Sequence, residues 1–398
     1  MEKSRRNKGI TPVALVITII LLLILAGVII AMLTGENGMI VQAQKAKTQT
    51  EKATAKEKAD LAIVASYDET GKINLEQLKN NLNNIEGIKT EIEDLTDNSF
   101  PLEVIVDGKI VTIIKDRNGN YCTSVEEYIS KTEPYIGYYA DVDDDGTIDG
   151  VIYADLAKGD NVEKRWNNDK DSTYTIPKVE ASELKEYKIK TAKFPDGVAE
   201  DVFKTGKTKE EVIAPVSKDS NLEARFYIMA LKNVDDDSHS WYKSAYDKMS
   251  DYGNTNLGEF GKGKEHTELM VERWNNGSNT TEGIVSYGIQ VKSDMWGLIQ
   301  GKTVNENGEV VTDTTKTNYY AQGWYVPSKA EWSAFASELK INKTTSNVKY
   351  YEDLGLSNCY WSSSQSNTRF GWTANFDYGY IYGHGVNNYH YVRLGMTF

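Results

Sequence analysis

The chain has 398 residues, 40% hydrophobic and 26% charged, which excludes a disordered polymer and is too long for one ordinary core. Its formal net charge is −13, and the first nine residues are basic, so the remainder is more acidic still. Such a chain is a poor general binder of nucleic acid or anionic lipid, so no nucleic-acid partner is expected. No Cys-x-x-Cys, HExxH, GxSxG or GxxxxGK(S/T) motif occurs. The two cysteines, Cys122 and Cys359, lie far apart; a disulfide and two free thiols both fit. Tyrosine is over-used, with 25 Tyr against 9 Phe, as suits binding surfaces or strand-rich cores.

From Gly9 to Gly35 there is no charged residue, and the apolar run Ile10 to Leu33 has 24 residues. A hydrocarbon core of ~30 Å needs about 20 helical residues, so this run is long enough to span. Lys3, Arg5, Arg6 and Lys8 precede it and should stay in the cytoplasm, placing everything after the helix outside. A secretory signal peptide is the rival reading, but its apolar region is shorter and ends in an A-x-A-like site. Val41 to Ser66 is rich in Ala, Lys, Glu and Gln without Gly or Pro, which predicts a polar helix continuing the apolar one.

A basic leader ending in Gly, an apolar helix and then a polar helix resemble a type IV prepilin or secretion pseudopilin. The resemblance implies a leader over 1–9, cleavage between Gly9 and Ile10 by a prepilin peptidase, and a pilin helix over 10–66. It also implies methylation of the new N-terminus and packing with other pilin subunits. The family usually has Glu at the fifth mature position, where this chain has Ala14, and Pro12 is unusual. Those departures favour a minor or tip subunit over a bulk one.

Residues 67–130 read as a small α+β head. Leu75, Leu78, Leu82 and Ile85 fall near helical spacing, and two β-rich runs meet at Asp107-Gly108, a hairpin signal. Residues 135–160 read as a connector carrying a calcium loop. Asp141, Asp143, Asp145 and Asp149 occupy loop positions 1, 3, 5 and 9, with Gly146 at 6, a spacing that gathers hard oxygen ligands around Ca2+. The twelfth position holds Ile152, and Asp155 is a substitute if the loop folds back. The competing reading is a solvated acidic turn.

Residues 161–398 form the large domain. An amphipathic helix is expected from Ser238, and another over Ala330 to Leu339, capped by Ser328 with Glu331 completing a capping box. Trp241, Trp274, Trp296 and Trp324 read as core. Beyond Leu356 the pattern is that of short strands and loops. The pieces GWYVPSKAEW (Gly323 to Trp332), CYWSSSQ (Cys359 to Gln365) and YVRLGMTF (Tyr391 to Phe398) resemble the C-type-lectin fold of the formylglycine-generating-enzyme branch. Enzymes of that branch use a cysteine pair. Cys359 is the only cysteine in this domain, so their chemistry is not carried over and no catalytic residue is assigned.

The stretch from Trp372 to Tyr391 is dense in Tyr, Asn and Gly, a vocabulary suited to recognition loops. It also resembles the variable segment of proteins diversified by retroelements on this fold. The matching positions are Asn367, Thr368, Arg369, Phe370, Thr373, Asn375, Asp377, Tyr378, Tyr380, Tyr382, His384, Asn387, Asn388, Tyr389 and His390. Trp361, Trp372, Phe376 and Val392 read as the framework between them, and Arg393 as a framework hydrogen-bonding residue. The competing reading packs Tyr378, Tyr380 and Tyr382 as one face of a strand. A metal on His384 and His390 is not favoured, because no nearby Cys or fixed ligand spacing is evident.

The expectation is an α+β protein with a long pilin-type helix, a small pilin-like head and a C-type-lectin-like domain. It would be a single-pass membrane protein at the cell surface or in a pilus, not an enzyme, binding an external protein or glycan. The alternatives are a pseudopilin of a secretion or DNA-uptake apparatus, and an enzyme of the formylglycine-generating type.

Overall fold

The computed structural model describes residues 39–115, 121–131, 133–216, 222–249, 259–277, 287–341 and 350–398. Gly9, Ile10 and the apolar run to Leu33 lie outside the described residues. Among those described, no helix is long and apolar enough to cross a membrane. The architecture is mixed, with several small sheets and few helices, and divides into two compact units between Glu127 and Tyr128.

The first unit is built on helix α1 (Met39–Val64), helix α2 (Leu75–Asn83) and strands β1 (Leu102–Val106), β2 (Lys109–Lys115) and β3 (Tyr121–Tyr128). The expected polar helix is present where it is described. Its buried residues Ala55, Ala59, Ala62 and Ile63 follow helical spacing and meet Leu78, Leu82, Val104, Val106, Val111 and Ile113. Alanines at the contact let the helix backbone lie close to the sheet. Asn74 caps α2 by accepting from Gln77 N at 3.0 Å. Asp107 and Gly108 both have positive φ, 50° and 78°, as a two-residue type I′ turn requires, and join β1 to β2 in the expected hairpin.

The second unit contains, in chain order, β4 (Tyr139–Ala140), β5 (Gly150–Asp155), β6 (Lys164–Arg165), β7 (Thr173–Tyr174), β8 (Tyr187–Lys190), β9 (Val212–Pro215), β10 (Phe226–Ala230) and β11 (His239–Ser240). Helices α3 (Gly263–Asn276) and α4 (Met295–Leu298) follow, then β12 (Lys302–Val304), β13 (Val310–Thr312) and helix α5 (Lys329–Glu338). The chain closes with β14 (Cys359–Gln365), β15 (Phe370–Asn375), β16 (Tyr380–Gly385), β17 (Tyr389–His390) and β18 (Gly395–Thr397).

Its main sheet runs β8-β9-β4-β5-β10-β18, with only β4 and β9 parallel. All six residues of β5 are buried, because the sheet is covered on both faces. Ile152, Ile228 and Phe226 face a core with Trp241, Trp274, Trp296 and Trp324. Val151, Tyr153 and Met229 face a second core with Trp166, Trp332, Phe335 and Phe376. The four tryptophans assigned to the core are therefore core residues. Gly150 is needed for close approach: a Cβ there would lie 2.6 Å from Met229 O.

Three expectations are corrected. Residues 135–160 do not connect two domains; they supply β4 and β5, central strands of this sheet. Asp155 does not fold back to the acidic turn, but is buried in a two-pronged pair with Arg225, Nε to Oδ1 at 2.8 Å and a terminal nitrogen to Oδ2 at 2.9 Å. The segment from Ser238 to Met249 is not an α-helix. Trp241 and Tyr242 are adjacent and both fully buried, which a short strand followed by turns accommodates better than one helix stripe. By contrast, the Ser328–Glu331 capping box forms as expected at the start of α5.

Candidate functional site

Strands β14, β15 and β16 form a three-stranded antiparallel sheet whose register sets Trp361, Thr373 and Tyr382 side by side. Alternation along β16 buries Ile381 in the second core and turns Tyr380, Tyr382 and His384 to the other face. Those three continue a line of rings that begins at Tyr378. Successive centroids are 5.8 Å apart for Tyr378–Tyr380, 6.1 Å for Tyr380–Tyr382 and 4.9 Å for Tyr382–His384. His384 then stacks on His390 at 4.5 Å, and His390 meets the edge of buried Trp361 at 4.7 Å. Tyr378 is 63% exposed, Tyr382 48% and Tyr389 45%, so the line runs from solvent down to the core.

The turn that carries Tyr378 is held from below. Asn167 Nδ2 donates to Gly379 O at 2.9 Å, Ile381 N donates to Ser172 Oγ at 3.0 Å, and Tyr378 N donates to Asn375 Oδ1 at 3.1 Å. The aromatic face is thus fixed before any ligand arrives.

Around it, Asn387, Asn388 and Thr368 are exposed. Arg369 is exposed, pairs with Asp247 and lies over the Tyr246 ring. Phe370 is exposed, while Asn367 and Asp377 are half-buried. Tyr389 Oη receives a hydrogen bond from Lys243 Nζ at 3.2 Å. Its contact with Ser293, reinforced by Lys243, holds the phenol below its usual range. Two positions from the sequence reading lie inside. Thr373 is fully buried and donates to Tyr382 O at 2.8 Å; Asn375 is buried and anchors the turn. Neither belongs to the exposed face. Trp361, Phe376 and Val392 are buried and Trp372 half-buried, as framework residues should be. Arg393 is buried and donates to Asn233 Oδ1 at 3.0 Å and Gly355 O at 2.6 Å.

At the inner end of the aromatic line sits a group of three side chains that sequence distance conceals. Donor atoms of Cys359, His384 and His390 all lie within 4.8 Å of one another. Cys359 is a free, buried thiol, pushed up to about 12 by burial. Burial, and then the neighbouring His384, push His390 down to about 3; burial also lowers His384. All three are neutral at physiological pH.

The acidic turn lies between β4 and β5. Carboxylate oxygens of Asp141, Asp143 and Asp149 lie within 4.8 Å of one another. Asp145 instead accepts from Thr147 N at 2.7 Å. Asp141 accepts from Gly146 N at 2.8 Å and from Lys190 Nζ at 3.1 Å, so an ammonium already answers part of the charge. Burial pushes Asp149 up to about 7, and the charges of Asp143 and Asp141 add to it. A cavity of about 200 Å³ lies beside Asp149, lined also by Leu231, Tyr319, Trp324 and Leu394 and by no residue of the aromatic line.

No protein-family model and no curated protein matches the chain. Among solved structures, a fimbrial protein from Bacteroides ovatus is similar at 13% identity over 84% of this chain and 83% of that one. The TM-score is 0.16, too low to establish a shared fold.

Proposed function

We propose that this chain is a surface-displayed binding protein that engages an external protein or glycan through the aromatic face of β16. The observation that carries this reading is the outward line of Tyr378, on the turn, and Tyr380 and Tyr382, on β16, whose Ile381 is locked in the core on the other face. Rigid aromatic area loses little freedom on binding, and the exposed Asn387, Asn388, Thr368 and Arg369 offer adaptable hydrogen bonds. Of the fifteen positions matched to a diversified segment, all but Thr373 and Asn375 reach solvent, which supports reading the surface as one open to variation. A C-type-lectin-like arrangement is supported by the order of α5, β14 and a closing β18 paired with β10 beside β5. A protonated, buried Cys359 supports a non-catalytic role over the formylglycine-generating type.

In this reading the leader is removed between Gly9 and Ile10 by a prepilin peptidase. The chain then stays in the membrane through its N-terminal helix or joins other pilin subunits as a minor or tip component. The long α1 packing its second half on an antiparallel hairpin supports the pilin-like part. Asp141, Asp143 and Asp149 hold a structural Ca2+.

The test uses full-length chain in detergent, screened against glycan arrays and intact cells. Replacing Tyr378, Tyr380 and Tyr382 together with Ala is expected to weaken capture by about 30-fold or more, the scale of an aromatic hot spot. The far-UV spectrum should be preserved. Undiminished capture by a folded triple variant would exclude this face and favour a secretion pseudopilin.

A further inference from the structure

We propose that Cys359, His384 and His390 form a binding site for a borderline-soft transition-metal ion, with Zn2+ the natural occupant. The first residue of β14, the fifth of β16 and the second of β17 bring one sulfur and two imidazole nitrogens to a single point. This donor set suits Zn2+, and also Co2+ and Cu+, whereas the oxygen-rich acidic turn suits Ca2+. The two clusters therefore call for different ions.

The geometry lies close to what such an ion needs. His384 Nδ1 and His390 Nε2 are 2.5 Å apart. Two nitrogens on one tetrahedral zinc stand about 3.3 Å apart, given Zn–N bonds of about 2.0–2.1 Å. The gap opens by less than about 1 Å, within reach of a small rotation of two partly exposed rings. Packing keeps the rings pointed inward: Tyr382 abuts His384 at 4.9 Å and Trp361 abuts His390 at 4.7 Å. Thr373 hydrogen-bonds the Cys359 side chain. On binding, the S–H bond of Cys359 gives way to an S–metal bond and the proton leaves to water. One of the two facing nitrogens carries the proton of their hydrogen bond; that ring shifts to its other tautomer, moving the proton to its far nitrogen through water, and both neutral imidazoles then donate lone pairs. Both histidines are half-buried rather than sealed, so the fourth coordination position opens to solvent at the foot of the aromatic line.

This inference does not depend on the proposed binding role, and its test reads the metal alone. Full-length chain, stripped with a chelator, is titrated with Co2+ and, by competition with a chromogenic chelator, with Zn2+. One equivalent of Co2+ should give a near-ultraviolet thiolate-to-cobalt band and tetrahedral visible bands. Cys359→Ser should abolish the near-ultraviolet band. His384→Ala and His390→Ala should each weaken Zn2+ by well over about 100-fold, beyond the roughly 10–100-fold that loss of a supporting residue costs. Asp143→Ala should leave the band intact, separating this site from the acidic turn. Cobalt binding without a thiolate band, or wild-type zinc affinity in His384→Ala, overturns the proposal. His384 is only half-buried, so its variant decides the matter even where Cys359→Ser misfolds.

Discussion

At the scale of single residues, the second unit buries charged groups that several hydrogen bonds answer at once. Arg225 meets Asp155 with two hydrogen bonds and donates also to Ser130 O and Glu133 O. Asp294 accepts from Lys243 N, Val291 N, Trp274 Nε1 and Ser240 Oγ. His266 is one of several described side chains with an unpartnered buried polar atom, and it is titratable. It is buried, its Nε2 has no partner, and its Nδ1 reaches only Ser363 Oγ at 3.5 Å. Burial pushes it down from 6.5 to about 4, with Lys262 adding to the effect and Glu265 opposing it. Between those values the unfolded chain binds a proton that the folded chain does not. Stability from this group is therefore complete above about pH 6.5 and lost as pH falls through about 4, by roughly 3 kcal/mol in all. Urea unfolding across that range should show a shallower acid loss in His266→Gln than in the parent. Parallel slopes would show that His266 does not drive the acid sensitivity.

At the scale of elements, the acidic turn and β16 both translate sequence spacing into geometry, with different fidelity. Asp141, Asp143 and Asp149 converge as their spacing requires, but Asp145 turns to cap its own backbone. Added Ca2+ should raise the melting temperature. Asp143→Ala should remove that rise, whereas Asp145→Ala should keep most of it; equal loss in both would mean that Asp145 re-enters the site. On β16 the alternation of Tyr with Ile and Gly was legible from the spacing, and the structure shows which face goes inside: Ile381 is buried while Tyr382 is exposed and keeps a polar tip for water. The fate of Thr373 was not. It stands on the central strand between Trp361 and Tyr382, and only strand register shows that larger neighbours cover it. Cys359 also meets His384 and His390, although the register sets it opposite Asn375, and that meeting has no local sequence signal. The helix expected from Ser238 failed because helical spacing was read where adjacent Trp241 and Tyr242 both go inside. Helix α3 does carry a signal, with His266, Met270 and Trp274 four residues apart and buried on one stripe.

At the scale of the whole molecule, the two units differ in how far apart their contacting residues lie along the chain. The first unit joins neighbours: α1, α2 and the hairpin follow one another in sequence. The second closes its main sheet with β5, β10 and β18, drawn from residues 150–155, 226–230 and 395–397. Phe398 is itself a core residue and exchanges backbone hydrogen bonds with Phe226. This topology imposes a timetable on synthesis. The first unit has all its parts once residue 127 has emerged, while the edge of β10 waits unpaired until the last strand is made. A chain stopped after Tyr391 should therefore keep a protease-resistant first unit and have its second digested. Survival of both would mean that β18 is dispensable for closure. A unit that cannot shut before residues 395–397 are present stays threadable through a narrow passage until then.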